Sequence, residues 1–148
     1  MPSSHLSLHY HLIFSTRDRI AYLHEEWRGR LHTHLGDIIN NLGGVAVKIG
    51  GMDDHVHLLI GLRATHRLSD VVREIKSLSS KWIHEEMKKP QVTWQDGYGG
   101  FTVSASKIEV VREYIARQEE IHRRKTFQEE YLKFLEESGI KYDEKYLW

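Results

Sequence analysis

The chain has 148 residues, 21 basic and 21 acidic side chains, 11 histidines and no cysteine. That length is one ordinary domain with enough chain to bury a core, and the missing cysteine excludes disulfides and thiolate metal sites and fits a reducing, cytoplasmic setting. Balanced charge excludes a gross basic excess, although a local basic stripe suffices for nucleic-acid contact; no stretch is long and apolar enough to span a membrane, and the N-terminus lacks a signal-peptide pattern.

Leu6 to Thr16 reads as a first strand, with Leu8, Tyr10 and Leu12 on one face and His9, His11 and Ile13 on the other. Glu25 to Leu42 carries Trp27, Leu31, Leu35, Ile38 and Ile39 at helical spacing, and Gly43-Gly44 closes that helix. Residues 45–49 predict a second strand, Gly50 to Asp54 a turn, and His55 to Leu62 a third strand. After Leu68, with Ser69 and Asp70 at its start, a second amphipathic helix runs through Val71, Val72, Ile75, Leu78, Trp82 and Ile83 to about Met87. Pro90 ends that region, a glycine-punctuated loop covers Trp94 to Gly100, and residues 101–104 form a fourth strand. Ser106 with Glu109 matches a capping box for a third helix, which is predicted to continue through Tyr114 and Gln118 towards Arg124. Thr126 begins a further helical stretch to Gly139, and residues 140–148 form an appendage. The order β-α-β-β-α-β followed by helices is α+β and ferredoxin-like: an antiparallel sheet with two helices on one face.

Alternation along the third strand points both His55 and His57 to one side and Val56, Leu58 and Ile60 to the other. Two imidazoles side by side can hold one ion, given another protein ligand and open positions for substrate. His9 and His11 offer a second pair at the same spacing, and geometry allows either pair to bind metal. The 55/57 pair is favoured by its uninterrupted apolar back and by the Asp53-Asp54 turn leading into it. Gln118 adds a neutral carbonyl oxygen, and imidazole with amide oxygen suits Mn²⁺ or Mg²⁺. Tyr114 lies one turn before Gln118 on the same predicted face. A tyrosine can form a covalent phospho-enzyme, and nearby positive charge would help expose its phenolate. His122, a turn further on, either assists proton transfer or faces water.

Nucleic-acid features are local. Arg73, Lys76 and Lys81 belong to a basic stretch between Arg63 and Lys89, read either as phosphate contacts or as a solvated helix face. Arg17 and Arg19 are phosphate candidates at the sheet margin. Trp94 and Tyr98 could stack unpaired bases or plug the core edge.

Together these residues resemble the single-tyrosine HUH transposases, the small enzymes of compact insertion sequences and their REP-associated relatives. His55-Val56-His57-Leu58-Leu59-Ile60 is similar to the His-hydrophobe-His motif, and Tyr114-Ile115-Ala116-Arg117-Gln118 to the tyrosine helix. The segments Tyr10 to Arg17, Trp94 to Gly99 and Gln118 to His122 extend the likeness over nearly the whole chain. The resemblance implies that His55, His57 and Gln118 bind the metal. It implies that Tyr114 attacks single-stranded DNA at hairpin-bearing ends, forming a 5′-phosphotyrosine link that a second 3′-hydroxyl resolves. It also implies a homodimer, a tyrosine helix able to serve the other subunit, and a nucleoid-associated location in a bacterial or archaeal cell. Domesticated relatives often carry Asn where this chain has Gln118, so the chain looks closer to the insertion-sequence branch. Residues 1–125 would form the catalytic domain and 126–148 a helical tail of the same unit, outside the catalytic core, with Tyr131, Tyr142 and Tyr146 structural. A non-catalytic nucleic-acid-binding module and a domesticated transposase acting on genomic palindromic repeats are the alternatives.

Overall fold

The computed structural model describes residues 3–143. Its elements are β1 (His9–Ser15), α1 (Glu25–Asn41), β2 (Val45–Gly51), β3 (His55–Gly61), α2 (Leu68–Glu85), β4 (Gly99–Val103), α3 (Ile108–Ala116), α4 (Gln118–His122) and α5 (Phe127–Glu137). The strands form one antiparallel sheet in the order β2-β3-β1-β4, as the predicted ferredoxin-like order requires. Tyr146 lies outside the described residues, Tyr142 is exposed, and Tyr131 packs against Phe127 and the β4 end of the sheet.

Both faces of the sheet are covered, and they carry different side chains. On one face Leu12, Phe14, Val56, Leu58 and Ile60 meet the apolar stripes of α1 and α2. The helical period of Trp27, Leu31, Leu35 and Ile38 is thereby matched to the strand period. Each fully buried Leu or Ile there contributes on the order of 1.5–3 kcal/mol. On the other face the strands present His11, Ile13, His55, His57 and Leu59, and α3 to α5 close over them. Of the predicted α2 stripe, Leu78 is exposed instead, and Trp82 is only part-buried, stacked on His34.

Two differences from the predicted elements concern the third helix. Its start is a 3-10 turn, Ala105–Lys107, and no side chain caps Lys107, so the Ser106–Glu109 capping box does not form. The continuous helix to Arg124 is also broken, because Arg117 leaves helical geometry at φ −102°, ψ 21°. Tyr114 therefore belongs to α3 and Gln118 opens α4. At α5 the expected start holds: Thr126 caps it, accepting a hydrogen bond from the Glu129 backbone N–H.

Two glycines let these helices approach the sheet. A Cβ at Gly50 would sit 2.7 Å from the Ile115 carbonyl oxygen of α3, and one at Gly99 would sit 2.8 Å from the Tyr131 ring of α5. Gly50→Ala is therefore expected to lower stability by about 1–3 kcal/mol, read as the urea unfolding midpoint. Gly36→Ala, inside α1 where a Cβ meets only side chains at 3.5 Å or more, is expected to raise the midpoint by up to about 1 kcal/mol. Equal effects of the two changes would show that α3 does not rest on β2 as described.

Candidate active site and metal centre

β3 is buried along its whole length, and its register beside β1 brings His11 and His57 together on the face under α3 to α5. His55 and His57 are fully enclosed, so their polar atoms must find partners inside the protein. His55 Nδ1 donates to the Asp54 carboxylate at 2.7 Å. That turn is itself held by Arg28, a buried guanidinium of α1 that pairs with Asp53, lies 3.5 Å from Glu119 of α4, and donates to the Leu23 carbonyl. With Nδ1 held on Asp54, His55 turns its Nε2 into the space beneath α4. His57 Nδ1 is 2.8 Å from His11 Nε2, which orients the second ring. His11 is thus a supporting neighbour of His57, while its predicted partner His9 contacts Ser7. The ring of Phe127 lies flat on His55, with centroids 4.1 Å apart.

The helices bring four more groups to the same point. Gln118 Oε1 is 3.0 Å from His55 Nε2 and 3.0 Å from His122 Nε2. Its Nε2 donates to Glu130 at 3.1 Å, which fixes which end of the amide faces the histidines. Glu130, 2 % exposed, places Oε1 3.1 Å from His57 Nε2, while its other oxygen accepts the Tyr114 hydroxyl. The Tyr114 and His57 rings are 5.9 Å apart. His122 does not face water: its side chain is 9 % exposed, and its Nδ1 donates to the Lys125 carbonyl.

This donor set fits a divalent ion. Donor atoms of His55, His57, His122 and Glu130 lie within 4.8 Å of one another, beside the Gln118 oxygen. His55 Nε2 and Gln118 Oε1 lie 3.0 Å apart. Such a contact needs a proton or a cation between them.

The electrostatics follow from burial and one carboxylate. Burial, then the charge of Glu130, push the Tyr114 phenol above its ordinary range. Burial opposes ionisation of Glu130, but hydrogen bonds from His122, His57 and Tyr114 outweigh it and hold the carboxyl well below the usual carboxylate range. Burial lowers His57 despite its bond to Glu130, whereas at His122 the Glu130 carboxylate and the Lys125 carbonyl overcome burial and raise it.

The fold brings His55, His57, Tyr114 and Gln118, the site candidates read from the sequence, to one point. Sequence reasoning missed Glu130 and treated the tail as lying outside the core; α5 instead supplies the carboxylate that joins the other four groups. The signal was present: Glu130 interrupts the stripe Phe127, Tyr131, Phe134, Leu135, and a carboxylate on the apolar face of a helix needs a buried partner.

Of the nucleic-acid candidates, two have internal roles. Trp94 is a core residue, edge-on to Phe14 with its indole N–H on Ser79, so no face is offered to a base. Lys76 clamps the loop through the carbonyls of Gln95 and Gly97, at 2.7 and 2.6 Å, and burial lowers its pKa to about 8. Arg73 and Lys81 are exposed on α2, across the sheet from Tyr114, and Arg73 pairs with Asp70. Arg17 is exposed and pairs with Asp96, Arg19 is half-buried, and Tyr98 is half-buried near Lys76.

Burial, reinforced by His57, lowers His11 from its ordinary 6.5 to about 3. The unfolded chain therefore takes up this proton first. The associated stability is complete above pH 6.5 and is lost as pH falls towards 3. Between pH 7 and 4.5 this residue alone is expected to cost about 3 kcal/mol of stability, and His11→Gln should flatten the loss, both measured by urea unfolding. A His11→Gln curve as acid-sensitive as the parent would refute the assignment.

Comparison with known proteins gives one consistent result. Residues 4–118 match the family model described as "Transposase IS200 like". The chain is 29% identical over 119 residues to the ISDra2 transposase TnpA of Deinococcus radiodurans, covering 75% of this chain and 84% of that protein. A crystal structure from Deinococcus radiodurans R1, described as that of a transposase, superposes with a TM-score of 0.65 at 30% identity, over 80% of this chain and 95% of the other. A REP-associated tyrosine transposase bound to a REP hairpin shares the fold, with a TM-score of 0.60 at 14% identity, over 82% and 73% of the two chains. With a match that spans its four strands and the tyrosine helix, this chain belongs to the IS200-like transposase family.

Proposed function

We propose that this transposase nicks and rejoins single-stranded DNA at hairpin-bearing ends, with Tyr114 as nucleophile and a divalent ion, Mg²⁺ or Mn²⁺, held by His55, His57 and Gln118. The observation that carries the reading is the Tyr114 hydroxyl, hydrogen-bonded to a buried carboxylate whose other oxygen touches His57. Nucleophile and metal donors thus meet at one point. When bound there, the ion would draw charge from a non-bridging phosphate oxygen and orient the phosphate for in-line attack.

The chain's own groups then have distinct tasks. Tyr114 Oη forms a bond to phosphorus as the P–O3′ bond breaks, leaving a 5′-phosphotyrosine and, once protonated, a 3′-hydroxyl. Attack by another 3′-hydroxyl reverses the exchange, so bond energy is conserved and no external energy is needed. As the site stands, Tyr114 is held as a phenol, and positive charge must arrive before it reacts. Beside Tyr114 a cavity of about 480 Å³ has Phe134 and His11 on its wall, with Arg117, Arg124, Lys125 and Lys133 set against Glu120, Glu130 and Glu137, and it is proposed to receive the nucleotide at the scissile phosphate. Arg17, Arg19, Arg73, Lys81 and Tyr98 are proposed to contact the hairpin, away from the scissile phosphate. The protein is proposed to work as a homodimer in the cytoplasm, associated with the nucleoid; among the described residues no helix is long and apolar enough to cross a membrane.

Incubating the protein with hairpin-bearing single-stranded DNA and Mn²⁺ is expected to yield a DNA–protein adduct that survives denaturant. Tyr114→Phe and chelation should each abolish it. An adduct formed by Tyr114→Phe would sink the nucleophile assignment, and one formed under chelation would sink the metal role. Because histidine ligands must be neutral, adduct yield should also fall on acidification, and burial moves that fall below the ordinary histidine range for His57. A yield that stays flat down to the pH at which the protein unfolds would count against imidazole ligation.

A further inference from the structure

We infer that Glu130 is itself a ligand of the ion, so that the metal centre draws on α5 as well as on β3 and α4. This rests on the reading of His55 and His57 as a metal site. Glu130 lies beyond the segment that matches the family model, so its role is argued from this chain alone.

Three observations converge. Donors about 2.0–2.3 Å from a common ion lie roughly 3.0–3.7 Å from one another in tetrahedral or octahedral arrangements. Glu130 Oε1 is 3.1 Å from His57 Nε2, 3.6 Å from His55 Nε2 and 3.4 Å from His122 Nε2. It therefore meets that spacing to all three imidazoles at once. Next, every one of these rings has its remote nitrogen occupied: His55 on Asp54, His57 on His11 and His122 on the Lys125 carbonyl. Ligand histidines are held in this way, with the free nitrogen aimed at the ion. Finally, the carboxylate is almost wholly buried, on a helix whose neighbouring side chains Phe127 and Leu135 are core residues. A charge in that setting calls for a cation opposite it.

The placement also links the ion to the nucleophile. One Glu130 oxygen faces the imidazoles while the other accepts the Tyr114 hydroxyl, so a single side chain sets the distance between metal and phenol. The imidazoles favour Mn²⁺ over Mg²⁺, because nitrogen donors suit the softer ion, while the carboxylate serves either.

The test is Mn²⁺ titration of metal-stripped protein at pH 7.5, followed by the electron paramagnetic resonance of free Mn²⁺ and by calorimetry. The full chain is expected to bind one ion, and both Glu130→Ala and Glu130→Gln should raise the Kd about tenfold or more. Circular dichroism of the metal-free variants checks folding, and the near-isosteric Glu130→Gln decides if the alanine variant does not fold. Unchanged or tighter binding in Glu130→Gln would overturn the inference, because it would make Glu130 only a counter-charge that competes with the ion for the histidines. His57→Ala separates the two readings. If it abolishes binding while Glu130→Gln retains it, only the Glu130 role fails. If it binds as the parent does, or if the parent binds no ion, the histidine site itself fails.

Discussion

Everything at this site depends on a central strand that must satisfy two chemistries at once. β3 is enclosed on both faces, so each side chain has to suit whichever layer it meets. Val56, Leu58 and Ile60 do so by packing against α1 and α2. His55 and His57 cannot do so by packing, because an imidazole buried without partners is costly. Their partners define the other layer: the Asp54 turn, His11 on β1, the α4 amide and the α5 carboxylate. The alternation of one seven-residue strand thus separates a structural half from a chemical half.

The chemical half is organised around a negative charge. Glu130 is stabilised by the histidines it touches, and together with burial, the larger cause, it keeps Tyr114 protonated. Under the proposed function a site of this kind is safe when idle, since a buried phenol beside a carboxylate is a weak nucleophile. Positive charge brought into the centre acts on both groups, compensating Glu130 and lowering the cost of a phenolate. Anion, imidazoles and tyrosine form a balanced set in which no member can be replaced without disturbing the others.

How much of this could be read from the amino-acid order depends on the range of the interaction. Strand and helix periods are local, so β3, α1 and the ferredoxin-like order were legible, as was the face shared by His55 and His57. Tyr114 and Gln118 were legible as a pair one turn apart, although the break at Arg117 was not, because nothing in Arg117 itself forbids a helix. The capping box at Ser106 does not form because Ser106 lies inside the 3-10 turn Ala105–Lys107 instead of at the extended N-cap position a box requires. Lys76 and Trp94 read as nucleic-acid contacts because residue type alone does not reveal a partner 15 to 21 positions away, such as Gln95, Gly97 or Ser79. Glu130 is hidden for the same reason, since its hydrogen-bond partner His57 is 73 positions away.

The break at Arg117 has a mechanical consequence. In a continuous helix Tyr114 and Gln118 would form one rigid body, and any rotation of the tyrosine would drag the amide with it. Here each helix has its own anchor: α3 rests through Ile115 on Gly50, whereas α4 is tied through Glu119 to Arg28 and through His122 to the Lys125 carbonyl. Arg117 is the joint between two levers with separate fulcrums. Under the proposed mechanism, a tyrosine that gives up its bond to Glu130 to carry a DNA strand would be displaced about that joint while the amide keeps its place beside the histidines.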